Sequence, residues 1–169
     1  MNIILFRHGI SEDLEVGSSK TDSERQLTKK GRKQMKQVAK GLRRIVGSGC
    51  LVACSPYVRA VQTAEILLKE LWKGGESEFL VVEKMKSGVE PESATEWLAQ
   101  QDPEAKVILV GHEPDFSRLM AYLTAGAGAA YGRLSKAGAC LIHCPSTPSA
   151  GRGELIWLVT PAMIKRLGA

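Results

Sequence analysis

The stretch Asn2-Ile3-Ile4-Leu5-Phe6-Arg7-His8-Gly9-Ile10-Ser11 decides the fold. Four consecutive apolar, β-favouring residues, Ile3 to Phe6, predict a strand buried on both faces, as the parallel sheets of α/β folds require. Arg7 and His8 follow without a spacer. A cation and an imidazole at the end of a buried strand cost free energy unless they meet a cavity or a partner. In an open α/β sheet the carboxyl ends of the strands face the ligand crevice. Gly9 lets the backbone turn tightly there. Arg7 and His8 are therefore candidates to meet an anion.

Working outward, the same pattern recurs twice. Leu51 to Ala53 reads as a second strand, followed by Ser55-Pro56, an N-cap and first helical residue by type. The helix they open runs to about Trp72 and is closed by Gly74-Gly75. Arg59 then lies in or near the first turn, and helical side chains lean back toward the N-terminus, so its guanidinium can reach the strand exits. A cation there opposes the helix dipole, which calls for a compensating negative charge. Val107 to Val110 is another buried strand, and Gly111-His112-Glu113-Pro114 leads from it into a helix from Asp115 to about Leu123. The chain has three histidines. His8 and His112 both fall at the ends of apparently parallel strands, whereas His143 lies in a later strand and reads as structural.

The rest of the chain fits around these three exits. Glu12 to Gln26 is polar and aperiodic, a loop that should wall the site. Thr28 caps a helix, Lys29 to Val46, whose apolar positions Met35, Val38, Ala39, Leu42 and Ile45 recur at helical spacing. Its other face carries Lys29, Lys30, Arg32, Lys33, Lys36, Lys40, Arg43 and Arg44, read here as a solvated face rather than a docking surface. Gly47 and Gly49 end it. Phe79 to Val82 is a third strand with Glu83 at its exit, and Pro91 to Gln101 a short helix. Thr124 to Gly138 reads as a mobile Gly/Ala-rich loop. Ala139 to Cys144 and Glu154 to Thr160 are two strands, joined antiparallel through Pro145 to Gly153, and Pro161 to Leu167 makes a final helical turn or two. The expectation is an α/β fold: three α/β/α layers about a mixed, mostly parallel central sheet of about six strands, in one domain over 1–169.

Composition narrows the classes. At 169 residues the chain can bury a good core. Its net charge of +5 admits anionic partners, but aromatics are only 5% of residues, and no nucleic-acid signature accompanies the charge. No window holds the ~18 apolar residues of a membrane span, and the N-terminal apolar run is too short for a signal peptide. The expectation is a cytoplasmic monomer that engages neither nucleic acid nor membrane. Cys50/Cys54 and Cys140/Cys144 are each spaced by four. On a strand that separates them by about 13 Å, too far for a disulfide or a shared metal, so they read as buried hydrophobes.

Two guanidiniums and two imidazoles around one point, Arg7, Arg59, His8 and His112, suit a highly charged anion, and Arg forks match phosphate oxygens. There is no P-loop, no GxGxxG run and no acidic cluster for Mg²⁺. A phosphoryl group would be held by side-chain cations, with no metal and no cofactor. One imidazole must stay neutral to attack phosphorus in line, helped by the neighbouring Arg charges. The other is free to be cationic and to bind the transferring group, whose charge the fixed donors stabilise.

Arg7-His8-Gly9, Ser55-Pro56 with Arg59-Ala60 and Gln62-Thr63-Ala64, and Gly111-His112, in this order, resemble the histidine phosphatase superfamily, of phosphoglycerate mutase-like fold, over nearly the whole chain. The short length, the Gly111-His112-Glu113-Pro114 block and the ending Glu154-Leu155-Ile156-Trp157-Leu158-Val159-Thr160-Pro161 look most like its SixA-type phosphohistidine phosphatases. The resemblance implies that 1–169 is one histidine phosphatase domain and that His8 is the phosphorylated nucleophile. It implies a phosphate pocket, able to take phosphate or sulfate, of Arg7, Arg59 and His112 with Ser11. Family members that cleave phosphate esters supply a carboxylic acid for the leaving oxygen, worth roughly 10²–10⁴-fold in rate. Here no clear counterpart stands out. Glu83 is the best candidate for a general acid, Glu113 and Asp13 weaker ones. A phosphorylated imidazole needs that help less, so the expected substrate is a phosphohistidine on a signalling or carrier protein. The alternatives are a small-molecule phosphomonoesterase of the same superfamily, a phosphoprotein-binding module without turnover and, least favoured, a mutase.

Overall fold

The computed structural model describes residues 1–14, 20–72, 78–126 and 132–168. In chain order these form β1 (Asn2–Arg7), α1 (Lys29–Val46), β2 (Cys50–Cys54), α2 (Val58–Leu71), β3 (Phe79–Val81), α3 (Pro91–Leu98), β4 (Lys106–Gly111), α4 (Asp115–Ala125), β5 (Ala139–His143), β6 (Glu154–Val159) and α5 (Pro161–Leu167). The six strands make one sheet in the order β3-β2-β4-β1-β5-β6. β1 to β4 run parallel, β5 lies antiparallel beside β1, and β6 antiparallel beside β5.

Strand alternation builds two cores. Ile4 and Phe6 face α1, α2 and α5, while Ile3 and Leu5 face α3 and α4. All four are essentially without solvent exposure, as expected for a strand covered on both faces. The four cysteines are free thiols buried in these two layers. Burial pushes Cys54 and Cys140 up to about 12, so they pack as small hydrophobes.

α1 starts as its cap predicts: Thr28 Oγ1 accepts from Gly31 N–H at 2.9 Å. Gly47 ends it at φ 69°. Two glycines let α1 lie against its neighbours. A Cβ on Gly31 would stand 2.0 Å from the Ile10 carbonyl oxygen, and one on Gly41 1.8 Å from that of Ile164.

Several boundaries differ from expectation. α2 begins at Val58 with Tyr57 as its N-cap, not at Pro56, and the Ser55 hydroxyl is shared between Tyr57 N–H and His112. β3 stops at Val81, and α3 at Leu98. Gly74-Gly75 lies outside the described residues. So does 127–131, part of the loop expected to be mobile. The rest of that loop is not loose: Thr124 and Ala125 belong to α4, and Leu134 and Ala137 are buried. No described helix is long and apolar enough to cross a membrane.

Candidate active site

Register places the first two groups. Arg7 pairs with Gly111 across β1 and β4, and His8 N–H donates to the Gly111 carbonyl at 3.0 Å. His8 and His112 therefore leave adjacent strands side by side, with ring centroids 5.2 Å apart. Gly111 must be glycine, because a Cβ there would meet the Phe116 ring at 2.5 Å. Ser55 N–H donates to the Val110 carbonyl at 2.9 Å, which brings the β2 exit to the same point. Arg59, the second residue of α2, reaches back so that its Nε–H donates to His8 Nε2 at 3.2 Å. His8, Arg59 and His112 are buried at 4%, 4% and 2% exposure. Three charged or titratable side chains seldom share a buried site unless they await a counter-ion.

A hydrogen bond fixes the tautomer of His8. A carbonyl only accepts, so His8 Nδ1, 2.7 Å from the Gly9 carbonyl, carries the proton. That leaves the Nε2 lone pair facing the pocket, where it accepts from Arg59 Nε–H until an incoming group displaces that bond. Burial first, then the charges of Arg59 and Arg7, hold His8 down to about 3, against a rise from the Gly9 carbonyl. His112 is pushed to about 2, again by burial first and then by His8 and Arg59. Burial thus outranks the neighbouring cations that sequence reasoning had credited. His112 Nε2 lies 2.7 Å from Ser55 Oγ, and Ser55 Oγ also accepts from Tyr57 N–H at 3.3 Å. Among the described residues, His112 Nδ1 and Arg7 Nε are buried without a hydrogen-bond partner. An unpartnered guanidinium N–H and an unpartnered ring nitrogen, both buried beside His8 Nε2, form a site for an oxyanion bound to that nitrogen.

Arg7 is steadied from two sides. Its Nη1 donates to the Leu134 carbonyl at 2.8 Å, and Glu113 opposes the lowering that burial imposes on it. Glu113 is itself clamped, accepting from Ser117 Oγ at 2.6 Å and Leu134 N–H at 2.9 Å. Tyr57 packs between His112, at 4.9 Å, and the Arg59 guanidinium, at 5.0 Å.

The rim holds residues that sequence reasoning missed. Asp22 opens a short 3₁₀ turn, Asp22–Glu24, within the polar loop. Its carboxylate accepts from Arg59 Nη2 at 2.8 Å and from Arg25 Nη1 at 2.6 Å, and its carbonyl accepts from Arg59 Nη1 at 2.5 Å. This is the negative charge that Arg59 at a helix N-terminus called for. Partial burial pushes Asp22 up, but Arg59 and Arg25 outweigh it and hold the carboxyl below its usual range. Arg25 Nη2 donates to Ser11 Oγ at 3.0 Å, so Ser11 meets the rim rather than the two imidazoles. The signal was present: Thr21-Asp22-Ser23-Glu24 is a capping box.

The other candidates lie apart. Glu83 is exposed and ion-paired with Lys86 at 3.3 Å, and Asp13 is exposed. His143 bonds Asn2 Oδ1 at 3.0 Å, across β1 and β5. No group of three or more His, Cys, Asp and Glu side chains able to hold a metal occurs among the described residues.

Comparison with known proteins agrees with this geometry. Residues 3–86 match the model of the histidine phosphatase superfamily (branch 1). An uncharacterized protein of Picosynechococcus is 32% identical over 144 residues, covering 82% of each chain. Among solved structures, the protein histidine phosphatase SixA complexed with tungstate superposes with a TM-score of 0.81 at 22% identity, covering 97% of this chain and 99% of that one. Phosphoserine phosphatase of Entamoeba histolytica, in complex with 3-phosphoglyceric acid, gives 0.67 at 19% identity, covering 94% and 96%. The fold is the mixed-sheet α/β fold of these proteins.

Proposed function

This chain belongs to the histidine phosphatase superfamily and is a phosphatase of that family, and from that premise we propose that it removes phosphate from a phosphohistidine borne by another protein. His8 Nε2 attacks phosphorus and the bond from phosphorus to the substrate imidazole breaks. The leaving ring, protonated on its other nitrogen, departs neutral. Water then attacks phospho-His8, the Nε2–P bond breaks with its electron pair returning to Nε2, and the water's oxygen and both its protons leave with inorganic phosphate. Arg7, Arg59 and His112 hold the phosphoryl oxygens, where fixed donors stabilise the charge of the in-line transition state.

The observation that carries the choice of substrate is the state of the carboxylates. An alkoxide leaving group needs a proton donor in the pocket. Glu83 is exposed and paired, Glu113 is clamped, and Asp22 is held ionised between two guanidiniums. An imidazole leaves without such a donor. The SixA neighbour, itself a protein histidine phosphatase, supports the same reading.

The test is rapid quench with a ³²P-labelled phosphohistidine protein. Label should pass transiently to His8 and vanish in His8→Ala, and kcat/KM should exceed that for sugar phosphates and phosphoserine. Faster turnover of phosphate esters, lost in Glu83→Gln, would instead make the protein a small-molecule phosphomonoesterase.

A further inference from the structure

The outer face of α1 carries more charge than a solvated face requires. Eight of the chain's 23 Lys and Arg lie on this helix and none of its 18 Asp and Glu, so the remainder of the chain is net acidic. Lys29, Lys33, Lys36, Lys40 and Arg43 follow one another at alternating steps of four and three, which places them along one exposed stripe, with Arg44 flanking it. Like charges at these steps repel. Lys29 and Lys30 also oppose the dipole at the helix start, where no acidic residue offsets them. None of the eight forms an ion pair with a described residue. A helix that accumulates such local costs without a counter-charge among the described residues is complementary to an external one.

The stripe is also connected to the pocket. The first turn of α1 lies on Ile10, two residues beyond His8, through the Gly31 contact. Thr28 N–H donates to the Ile10 carbonyl at 3.0 Å. From there the helix runs about 27 Å at 1.5 Å per residue. Midway the stripe opens into a groove of about 530 Å³ lined by Gln37, Lys40, Ala162, Lys165, Arg166 and Gly168, which adds two cations from α5.

We propose that the outer face of α1, with Lys165 and Arg166, is the docking track for an acidic protein surface that surrounds the phosphohistidine substrate. The inference rests on the protein-substrate reading above. A membrane fits less well, because the apolar side of α1 (Met35, Val38, Ala39, Leu42) is fully buried in the core and cannot enter lipid. A nucleic acid fits less well, because α1 offers no aromatic side chain for stacking.

The experiment compares a phosphotransfer domain of net negative charge, phosphorylated on histidine with phosphoramidate, with free N-phosphohistidine as the small substrate. The variants are Lys29→Glu/Lys33→Glu/Lys36→Glu, near the pocket, and Lys40→Glu/Arg43→Glu/Arg44→Glu, far from it. All six positions are exposed, and Glu keeps helix propensity. Folding is confirmed by Tm. Steered encounter predicts a fall of about tenfold or more in kcat/KM on the protein for the near triple, less for the far one, and no change on free phosphohistidine. Wild-type kcat/KM on the protein should fall with added salt, and that of the near triple should not. Equal effects on both substrates, or none on the protein, would overturn the docking track and leave the protein-substrate reading intact. If the variants instead lost binding to RNA or to anionic vesicles while protein turnover held, the track would belong to those partners. Failure of wild type to release phosphate from the phosphorylated domain would sink the underlying reading itself.

Discussion

His8 and His112 reach the pocket from β1 and β4, neighbours in one parallel sheet, whereas Asp22 and Arg25 reach it from a turn with only three helical residues behind it. The floor is fixed by strand register, backbone hydrogen bonds and the close approach at Gly111. None of these contacts depends on a bound anion. The rim is fixed by charge: Arg59 and Arg25 share the Asp22 carboxylate. In the proposed mechanism an incoming phosphoryl group competes with that carboxylate for Arg59, so the rim would respond to substrate where the floor need not. The difference teaches that one pocket can combine a preorganised reaction centre with an adjustable counter-charge, provided the shared cation is anchored in the floor.

Arg59 belongs to both regions, and its loss has the largest expected effect. Arg59→Ala should cost on the order of 10²–10³ in kcat, as for removal of one oxyanion donor. Its Tm should change little, because Asp22 keeps its bond to Arg25. A loss confined to KM would mean that Arg59 serves the rim alone.

Acid should separate the regions next. His8 and His112 have folded-state pKa values near 3 and 2, below the ordinary 6.5. Between those limits the unfolded chain binds more protons than the folded one. The stability that the neutral rings contribute is therefore complete above pH 6.5 and is lost as pH falls toward 3. Each ring adds up to ~1.4 kcal/mol per pH unit to that slope. Urea midpoints from pH 7 to 4 should show it, and inorganic phosphate should flatten it by favouring the charged rings. A slope unchanged in His8→Gln/His112→Asn would place the acid sensitivity outside the floor.

Asp22→Asn should have a smaller effect of opposite sign. Removing a carboxylate whose side chain is 46% exposed should tighten inhibition by inorganic phosphate about 2–5-fold, the scale of a partly solvated ion pair. Weaker inhibition would show that Asp22 positions Arg59 instead of competing for it.

The floor was legible in the sequence because each of its groups follows a short, strongly apolar run. Ile3–Phe6, Leu51–Ala53 and Val107–Val110 declare their strands, and Arg7-His8 and Gly111-His112 stand at two of the exits. The helix start after Ser55-Pro56 was misplaced for a physical reason. The Ser55 hydroxyl makes only a long bond to Tyr57 N–H and a shorter one to His112, a tertiary partner that a local capping rule does not register. The rim was not legible as part of the site, because Asp22 and Arg25 sit in an aperiodic polar loop whose only signature is its capping box. Arg59 pointed to a missing anion without indicating which one. Leu134 was hidden for a similar reason, since a Gly/Ala-rich segment reads as loose until its carbonyl is seen holding Arg7.

Ala137 carries a last consequence. It sits at φ 62°, and its N–H donates to the carbonyls of both Arg7 and His8 at 3.1 Å. A left-handed alanine costs roughly 1–2 kcal/mol, while glycine relieves that strain and forfeits about 0.5–1 kcal/mol in chain entropy. Ala137→Gly should therefore be almost silent in a melting curve. It should still slow phosphoryl transfer severalfold, because the latch on the backbone of the proposed nucleophile, His8, would rattle.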